Sequence, residues 1–507
     1  MGADENSAKH RNNAHQTGDL KVFLSWRAEK ISCVLRSIVF LILILSFFPS
    51  GSSAQKLWTL EECMARAYES NIQLKRAELS QQLSEYSVLQ SKMNFFPGLS
   101  ASTGYYFNYG KTIDPTTNNF VTQNTQTNSW SINGNLGLFN GFQRWNTLRQ
   151  NEYNVLASEA NTQGVSDNVS LYTVGGFLDI IYAKENLKVA EEQLQLSKDQ
   201  LERTRRLVEA GSLPQSSIYD IEAQAAQSEV ARVTAENELD IARLNLTQLL
   251  TLPEPIDILV PAIDMTAQLS EMNKTVKDIY DTALVTQPAV RGAEYRLKSA
   301  EKGLSISRGA LYPSLYLFGS LTTNYSNLYK RFAFDTTQIQ TIPVGFVITD
   351  NTPVVNYAPS LVSSSVSLFD QYSDNFGQAF GFSLEIPIFN NWANRTNVSR
   401  AKVNVLDAKY DLEATRQQLL TDVQKAYADA RAAKNSYEAA LKAEASYRQS
   451  FNDAQAKFNA GAINSLDFTT IKNNFSKSQS DLLRAKYQYL FQLKLLDFYQ
   501  GKPLTLQ

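Results

Sequence analysis

The side chains that could do covalent or metal chemistry are few in this chain, and where they fall narrows what it can be. Its 507 residues include two histidines, His10 and His15, and two cysteines, Cys33 and Cys63. Nucleophilic catalysis needs a base beside its Ser or Cys, zinc needs a set of imidazoles or thiolates, and a disulfide needs two thiols. Three of these four residues lie in a segment that reads as an export signal. Arg27, Lys30 and Arg36 precede an apolar run from Ile38 to Phe48, followed by Pro49, Gly51 and the small-residue site Ser52-Ser53-Ala54. The run falls well short of the roughly 20 residues that span a bilayer. Cleavage after Ala54, removing residues 1–54, would leave no histidine and Cys63 alone. The expectation is a chain that is not an enzyme, with no cofactor and no metal site. Carboxylates are plentiful but scattered along helical faces, and no GxxxxGK[ST] phosphate loop occurs. A net charge of -2 offers no basic face, so no nucleic acid is expected.

Two of the carboxylates stand out by position. Ser217-x-x-Asp220 and Asn464-x-x-Asp467 each follow a glycine-centred break, Ala210-Gly211-Ser212-Leu213 and Ala460-Gly461-Ala462-Ile463. Glycine there would end one helix, and the polar residue and acid would suit the first turn of the next.

These breaks are two copies of one pattern. ESNIQLKRAE followed by FFPGLSAST matches VTQPAVRGAE followed by LYPSLYLFG, so that Asn71 aligns with Gln287 and Pro97 with Pro313, both offset by 216. Further on the offset is 250: LFNG at Leu138 with IFNN at Ile388, Val208 with Phe458, Pro253 with Pro503. A duplicated unit is implied, with one connection grown longer. It argues for one intertwined architecture built by symmetry, not for a single catalytic pocket. The expected boundaries are residues 55–253 for the first repeat, 254–275 for a linker and 276–507 for the second repeat.

Each repeat offers helical and strand signals. Residues 57 to 93 are helical in pattern and stop at Pro97-Gly98. Trp130, Ile132, Gly134, Leu136 and Leu138 then alternate with Ser131, Asn133, Asn135 and Gly137, as Phe380, Phe382, Leu384 and Ile386 alternate with Gly381, Ser383 and Glu385. That is strand periodicity with one apolar face. Aromatics crowd the strands and their ends, among them Tyr105, Trp130, Phe139, Tyr316, Phe382 and Phe389. Short alternating segments with aromatic ends fit an outer-membrane barrel or the edge of a soluble sandwich. From Gly141 to Val208 no proline interrupts, and Leu187, Leu194, Leu201 and Val208 recur every seven residues. Such a helix would reach about 100 Å. The second copy carries Ala430, Tyr437, Phe451 and Phe458, then Ile471, Phe475, Ser478, Leu482, Ala485 and Tyr489, a coiled-coil seam.

Four strands cannot close a barrel, and an open sheet edge in lipid leaves backbone groups unpaired. Two copies would give eight strands, whose interior side chains nearly fill; three give twelve and leave a lumen. The fold class expected is therefore an α+β membrane protein, internally duplicated, with a long α-helical coiled-coil barrel and four β-strands per protomer in a trimeric twelve-stranded β-barrel.

The repeat, the prolines Pro97 and Pro313, the LFNG and IFNN strand exits and the AGS and AGA turns together resemble the TolC family of outer-membrane efflux channels, over essentially the whole chain after the signal. The resemblance implies a homotrimer in the outer membrane, in contact with its lipid and with a periplasmic extension. It also implies docking to a periplasmic membrane-fusion adaptor and, through it, to an inner-membrane pump of the RND or ABC type. The adaptor-docking tips would be Ala210, Gly211, Ser212 and Leu213, with Ala460, Gly461, Ala462 and Ile463. A periplasmic constriction would involve Asp467, where three symmetric carboxylates form a ring. The family's second acid falls on Thr470, whose repeat counterpart is Asp220, and its tyrosine and arginine gating partners are replaced by Phe458 and Ile463. Capping and pore ring both remain open for these acids. The connection from Asn324 to Asn375, longer than its counterpart from Asn108 to Asn128, should lie outside the cell. Two alternatives stand beside an efflux exit duct: the channel of a type I protein secretion system, and a periplasmic coiled-coil scaffold.

Overall fold

The computed structural model describes residues 56–114, 118–261, 265 and 274–506. The export segment 1–54 and most of 262–273 lie outside the described residues. Strand β1 (Leu57–Trp58) leads into helices α1 (Leu60–Ser70) and α2 (Ile72–Met93), strand β2 (Gly98–Asn108), a small hairpin of β3 (Lys111–Ile113) and β4 (Phe120–Thr122), and strand β5 (Thr125–Asn140). Helices α3 (Gln143–Glu209) and α4 (Ser216–Leu249) form the first long hairpin, and β6 (Asp257–Ile258) follows. The second half runs α5 (Val276–Thr286), α6 (Pro288–Gly309), β7 (Ser314–Ser326), β8 (Lys330–Phe346), β9 (Pro353–Ser365), α7 (Leu368–Asp374), β10 (Gly377–Glu385), α8 (Ala393–Asn459) and α9 (Ser465–Tyr499).

The duplication is visible in local chemistry. Helices α1 and α5 are each 11 residues long and each starts with a reciprocal capping box, Thr59 with Glu62 and Thr275 with Asp278. Each gives way after a single extended residue, Asn71 or Gln287, to a helix of 22 residues. The sequence pattern reads 57 to 93 as one helix. Asn71 breaks it, because its side chain takes the amides of Gln73 and Leu74 and so starts a new one. Helices α3 and α8 are both 67 residues, about 100 Å each.

The core sits where the short helices wrap the middle of the long ones. Phe177, Ile180 and Ile181 of α3 pack with Cys63 of α1, Leu246 of α4, Ile258 of β6 and Leu490 of α9. The segment expected as a linker is tied back here. Strand β6 pairs in parallel with β1, and Asp257 meets Lys184 at 2.7 Å and Arg243 at 3.2 Å. A second cluster joins Ile279 of α5 and Val290 of α6 to Val423 of α8 and Leu496 of α9. In the first cluster Tyr487 and Leu490 of the second repeat pack among first-repeat residues, whereas the second cluster is built within the second repeat alone.

Strands β10, β7, β5 and β2 form one antiparallel sheet in that order. Among the described residues, no helix is long and apolar enough to cross a membrane.

Candidate functional site

The sheet separates two chemistries by register alone. Directly opposed residues share a face, so Ala101, Ile132, Leu321 and Gln378 lie in one row, and Leu136, Leu317 and Phe382 in another on the same side. The opposite side carries Ser102, Ser131 and Thr322, then Ser100, Asn133 and Ser320. The Ser102 and Ser131 hydroxyls are 2.8 Å apart. Tyr105 and Trp130 stand on the apolar side, where Tyr105 donates to Gln126 Oε1 at 3.0 Å and the Trp130 indole donates to the Tyr372 hydroxyl at 3.2 Å. Phe139 rejoins that side past a register shift, opposite Leu315. Tyr316 is on the polar side, between Gly137 and Ser383. Phe389 lies beyond the end of β10 and is exposed. Both outer strands, β2 and β10, keep one edge free of strand partners among the described residues.

A belt of exposed aromatics marks the junction of sheet and helices. Phe95, Phe96 and Tyr312 precede the first strand of each repeat, and Phe142 and Trp392 follow the second. The chain turns there on paired left-handed residues, Gly141 with Phe142 and Asn391 with Trp392. Gly141 has no substitute, because a Cβ would meet the Gly309 carbonyl oxygen at 2.2 Å. Aromatics at this level suit a membrane–water interface. Sequence reasoning named the nearby Phe139 and Phe389 but none of these five. The signal for the others was present in the offsets, since Phe96 aligns with Tyr312 and Phe142 with Trp392.

At the far end, both hairpin turns close with the same two hydrogen bonds. Ser212 N donates to Leu207 O (2.8 Å) and Gly211 N to Val208 O (2.9 Å); Ala462 N donates to Lys457 O (2.8 Å) and Gly461 N to Phe458 O (3.1 Å). Gly211 and Gly461 take φ of +74° and +71°, with nothing within 4 Å of an added Cβ. These are Schellman ends. Both turns face solvent, except that Leu213 and Ile463 are half-buried.

The two acids differ. Asp467 forms a cap: its amide donates to Asn464 Oδ1 at 2.8 Å, and its carboxylate accepts from Asn464 Nδ2 at 3.0 Å. For Asp220 the expected cap is not formed. Helix α4 starts at Ser216, with Gln215 as its N-cap and no side-chain capping bond. Both carboxylates are exposed. Phe458 and Ile463 belong to an apolar cluster with Phe451, Phe468 and Phe475 just beneath the second tip, where Phe458 stacks on Phe468 at 4.6 Å.

The seam between the hairpins carries a row of polar contacts. Gln193 donates to Gln479 (3.1 Å), Gln224 to Asn473 (3.2 Å), Ser480 to Asn186 (2.9 Å) and Arg203 to Asn459 (2.5 Å). At its centre Lys472, 1% exposed, donates to the Ser197 hydroxyl, which also lies 2.8 Å from Ser228 Oγ. Burial pushes the Lys472 ammonium down to about 8. Sequence reasoning passed over it, because a lysine on a charged helix reads as solvated. Among the described residues no group of three or more His, Cys, Asp or Glu gathers as a metal site would require.

A sheet with one apolar face and two open edges, carried on helices of about 100 Å, defines the class of outer-membrane channel protomers. The chain belongs to the outer membrane efflux protein family, which it matches over residues 64–251 and 279–502. It is 23% identical over 263 residues to the outer membrane efflux protein BepC of Brucella suis, covering 52% of this chain and 54% of that one. It is 24% identical over 228 residues to the proteases secretion protein PrtF of Dickeya chrysanthemi, covering 45% and 48%. The chain thus spans about half the length of these two curated relatives. The probable outer membrane lipoprotein SilC of Salmonella typhimurium is 20% identical over 430 residues, with 84% and 81% covered. Among solved structures, CusC superposes with a TM-score of 0.70 at 17% identity, covering 88% of this chain and 92% of its own. VceC of Vibrio cholerae superposes with a TM-score of 0.67 at 13% identity, covering 88% and 97%. These likenesses concern the fold.

Proposed function

We propose that three copies of this chain share one twelve-stranded barrel in the outer membrane and form the exit duct of a tripartite efflux pump. The carrying observation is the four-stranded sheet: one face apolar, the other lined with Ser, Asn and Thr, and an edge on both β2 and β10 without a partner strand among the described residues. An edge in lipid costs several kcal/mol per unsatisfied group, and joining β10 of one copy to β2 of the next removes every edge. The two repeats, 55–253 and 276–507, then give the trimer a near six-fold helical wall below the barrel. The duct is passive, and its cargo is chosen by the pump that feeds it.

The turns at Ala210–Leu213 and Ala460–Ile463 are the docking tips for a periplasmic adaptor, which joins the duct to an inner-membrane pump. Asp467, repeated around the axis, supplies a ring of carboxylates near the entrance, and Asp220 a second acidic position on the outer hairpin. Likeness to a protein named for protease secretion supports a second reading, in which the same duct serves a type I secretion system. A soluble scaffold is disfavoured by membership of an outer membrane family.

The deciding experiment is the mass of the protein extracted from outer membranes, with and without detergent. A species of three protomers, stable only in detergent, is expected; a detergent-independent monomer or dimer would overturn the reading. On the trimer, Asp467→Asn keeps the cap geometry but removes the charge. Single-channel recordings should show reduced cation preference with an unchanged melting temperature. If neither changes, the carboxylate is a cap and nothing more.

A further inference from the structure

Between β7 and β10, where the repeat requires only a short connection, the chain builds a two-stranded hairpin from β8 and β9. Its foot is fixed. Buried Gln371 of α7 accepts from Ser326 N at 2.9 Å and donates to Val366 O at 3.0 Å, and Arg331 meets Asp374 at 2.6 Å. The register sorts its side chains onto two faces. Phe332, Phe334, Ile339, Phe346, Tyr357 and Leu361 share one; Arg331, Asp335, Gln340, Asn356 and Ser360 share the other with the smaller aliphatics Ala333, Ile342, Val354 and Val362. Burial runs against polarity, since Ser360 is buried while Phe334 is 68% and Tyr357 71% exposed. An isolated two-stranded hairpin is marginal in water, and both its outer edges lack partner strands among the described residues.

We propose that this aromatic face is an interface between copies of the chain: hairpins of neighbouring protomers pack their Phe332 to Tyr357 faces together above the barrel mouth. The proposal rests on the shared-barrel reading. The hairpin leads through α7 into β10, the edge strand at which the next copy joins, which sets it close to that junction. Where the three faces converge on the symmetry axis above the mouth, equivalent parts of each copy come close together, and like charges there would repel. The paired residues of the face from Phe332 to Phe346 and from Pro353 to Ser363 include no charged side chain. The four aromatics leave on the order of 400–650 Å² open to solvent. With Ile339 and Leu361 added, the face approaches the ~800 Å² that each partner contributes to a standard interface.

The test uses the full chain with Cys63→Ser as background, carrying either Tyr357→Cys or Asn356→Cys, adjacent residues on opposite faces. Trimer mass in detergent is measured first, then labelling by a membrane-impermeant maleimide and coupling by a short bifunctional maleimide on intact cells. The proposal expects trimers from both variants, about tenfold slower labelling at 357 than at 356, and covalent oligomers from 357 alone. Trimers with equal labelling overturn the hairpin contact and leave the channel reading standing. Trimers protected at 357 without coupling assign the face to lipid or a foreign protein and also overturn it. Absence of trimers from both variants and the background removes the channel reading itself.

Discussion

Lys472 is the residue on which the physics bears most sharply. Its amine has a hydroxyl for company and no carboxylate within ion-pair range among the described residues. Because burial lowers its pKa from 10.5 to about 8, the unfolded chain binds more protons than the folded one between those values. Stability therefore rises with pH across that window. At neutral pH the molecule carries the full cost, on the order of 3 kcal/mol. Thermal unfolding of the purified protein from pH 7 to 10.5 should show that slope, and Lys472→Met should flatten it and raise stability at pH 7 by about 1–3 kcal/mol. Ser197 would keep its bond to Gln193 O at 2.8 Å, so no buried hydroxyl is orphaned by the change. Glu444 shows the contrasting solution: also buried in a helical seam, it accepts from Arg448 one turn on, at 2.6 Å.

At the scale of elements, the second hairpin tip is held by stacked phenylalanines seven residues apart on each helix, Phe451 and Phe458 against Phe468 and Phe475. Phe468→Ala should cost about 3–5 kcal/mol, and hydrogen exchange should show the start of α9 opening while the sheet keeps its protection. Helices α3 and α8, the alternating strands and both glycine turns were legible because each has a period or a breaker of its own. The seam residues Tyr437, Phe475, Ala485 and Tyr489 are buried as their spacing predicts. What was not legible depends on partners distant in the chain. Nothing local in Asn71 distinguishes a helix break from a helical asparagine, and β6 reads as linker because its pairing residues lie 200 positions away. The β8–β9 hairpin hides in a segment whose shifts of register at Asp335 and Pro343 spoil simple alternation.

For the whole molecule the decisive property is which way the sheet faces. Ile132 and Ser131 are neighbours in β5, one on each side. In the proposed barrel Ile132→Arg puts a charge on the lipid-facing side and should cost about 2–4 kcal/mol near mid-membrane. Ser131→Arg is on the polar side, which faces the lumen in the proposed barrel, and should leave assembly intact. The yield of detergent-stable trimer from outer membranes compares the two directly, and equal yields would show that the apolar face does not meet lipid.

The equal lengths of α3 and α8 have a consequence for how such a chain can change over generations. Removing one heptad from α3 alone would retract its tip by ~10 Å while the tip of α8 stayed in place, shearing the Arg203 to Asn459 contact between them. Only a matching loss from α8, and from the returning α4 and α9, restores level ends. Insertions and deletions in the long helices are therefore inherited in sets or not at all, whereas the β8–β9 hairpin, whose counterpart in the first repeat is the small β3–β4 hairpin, can lengthen at its turn without moving any helix tip.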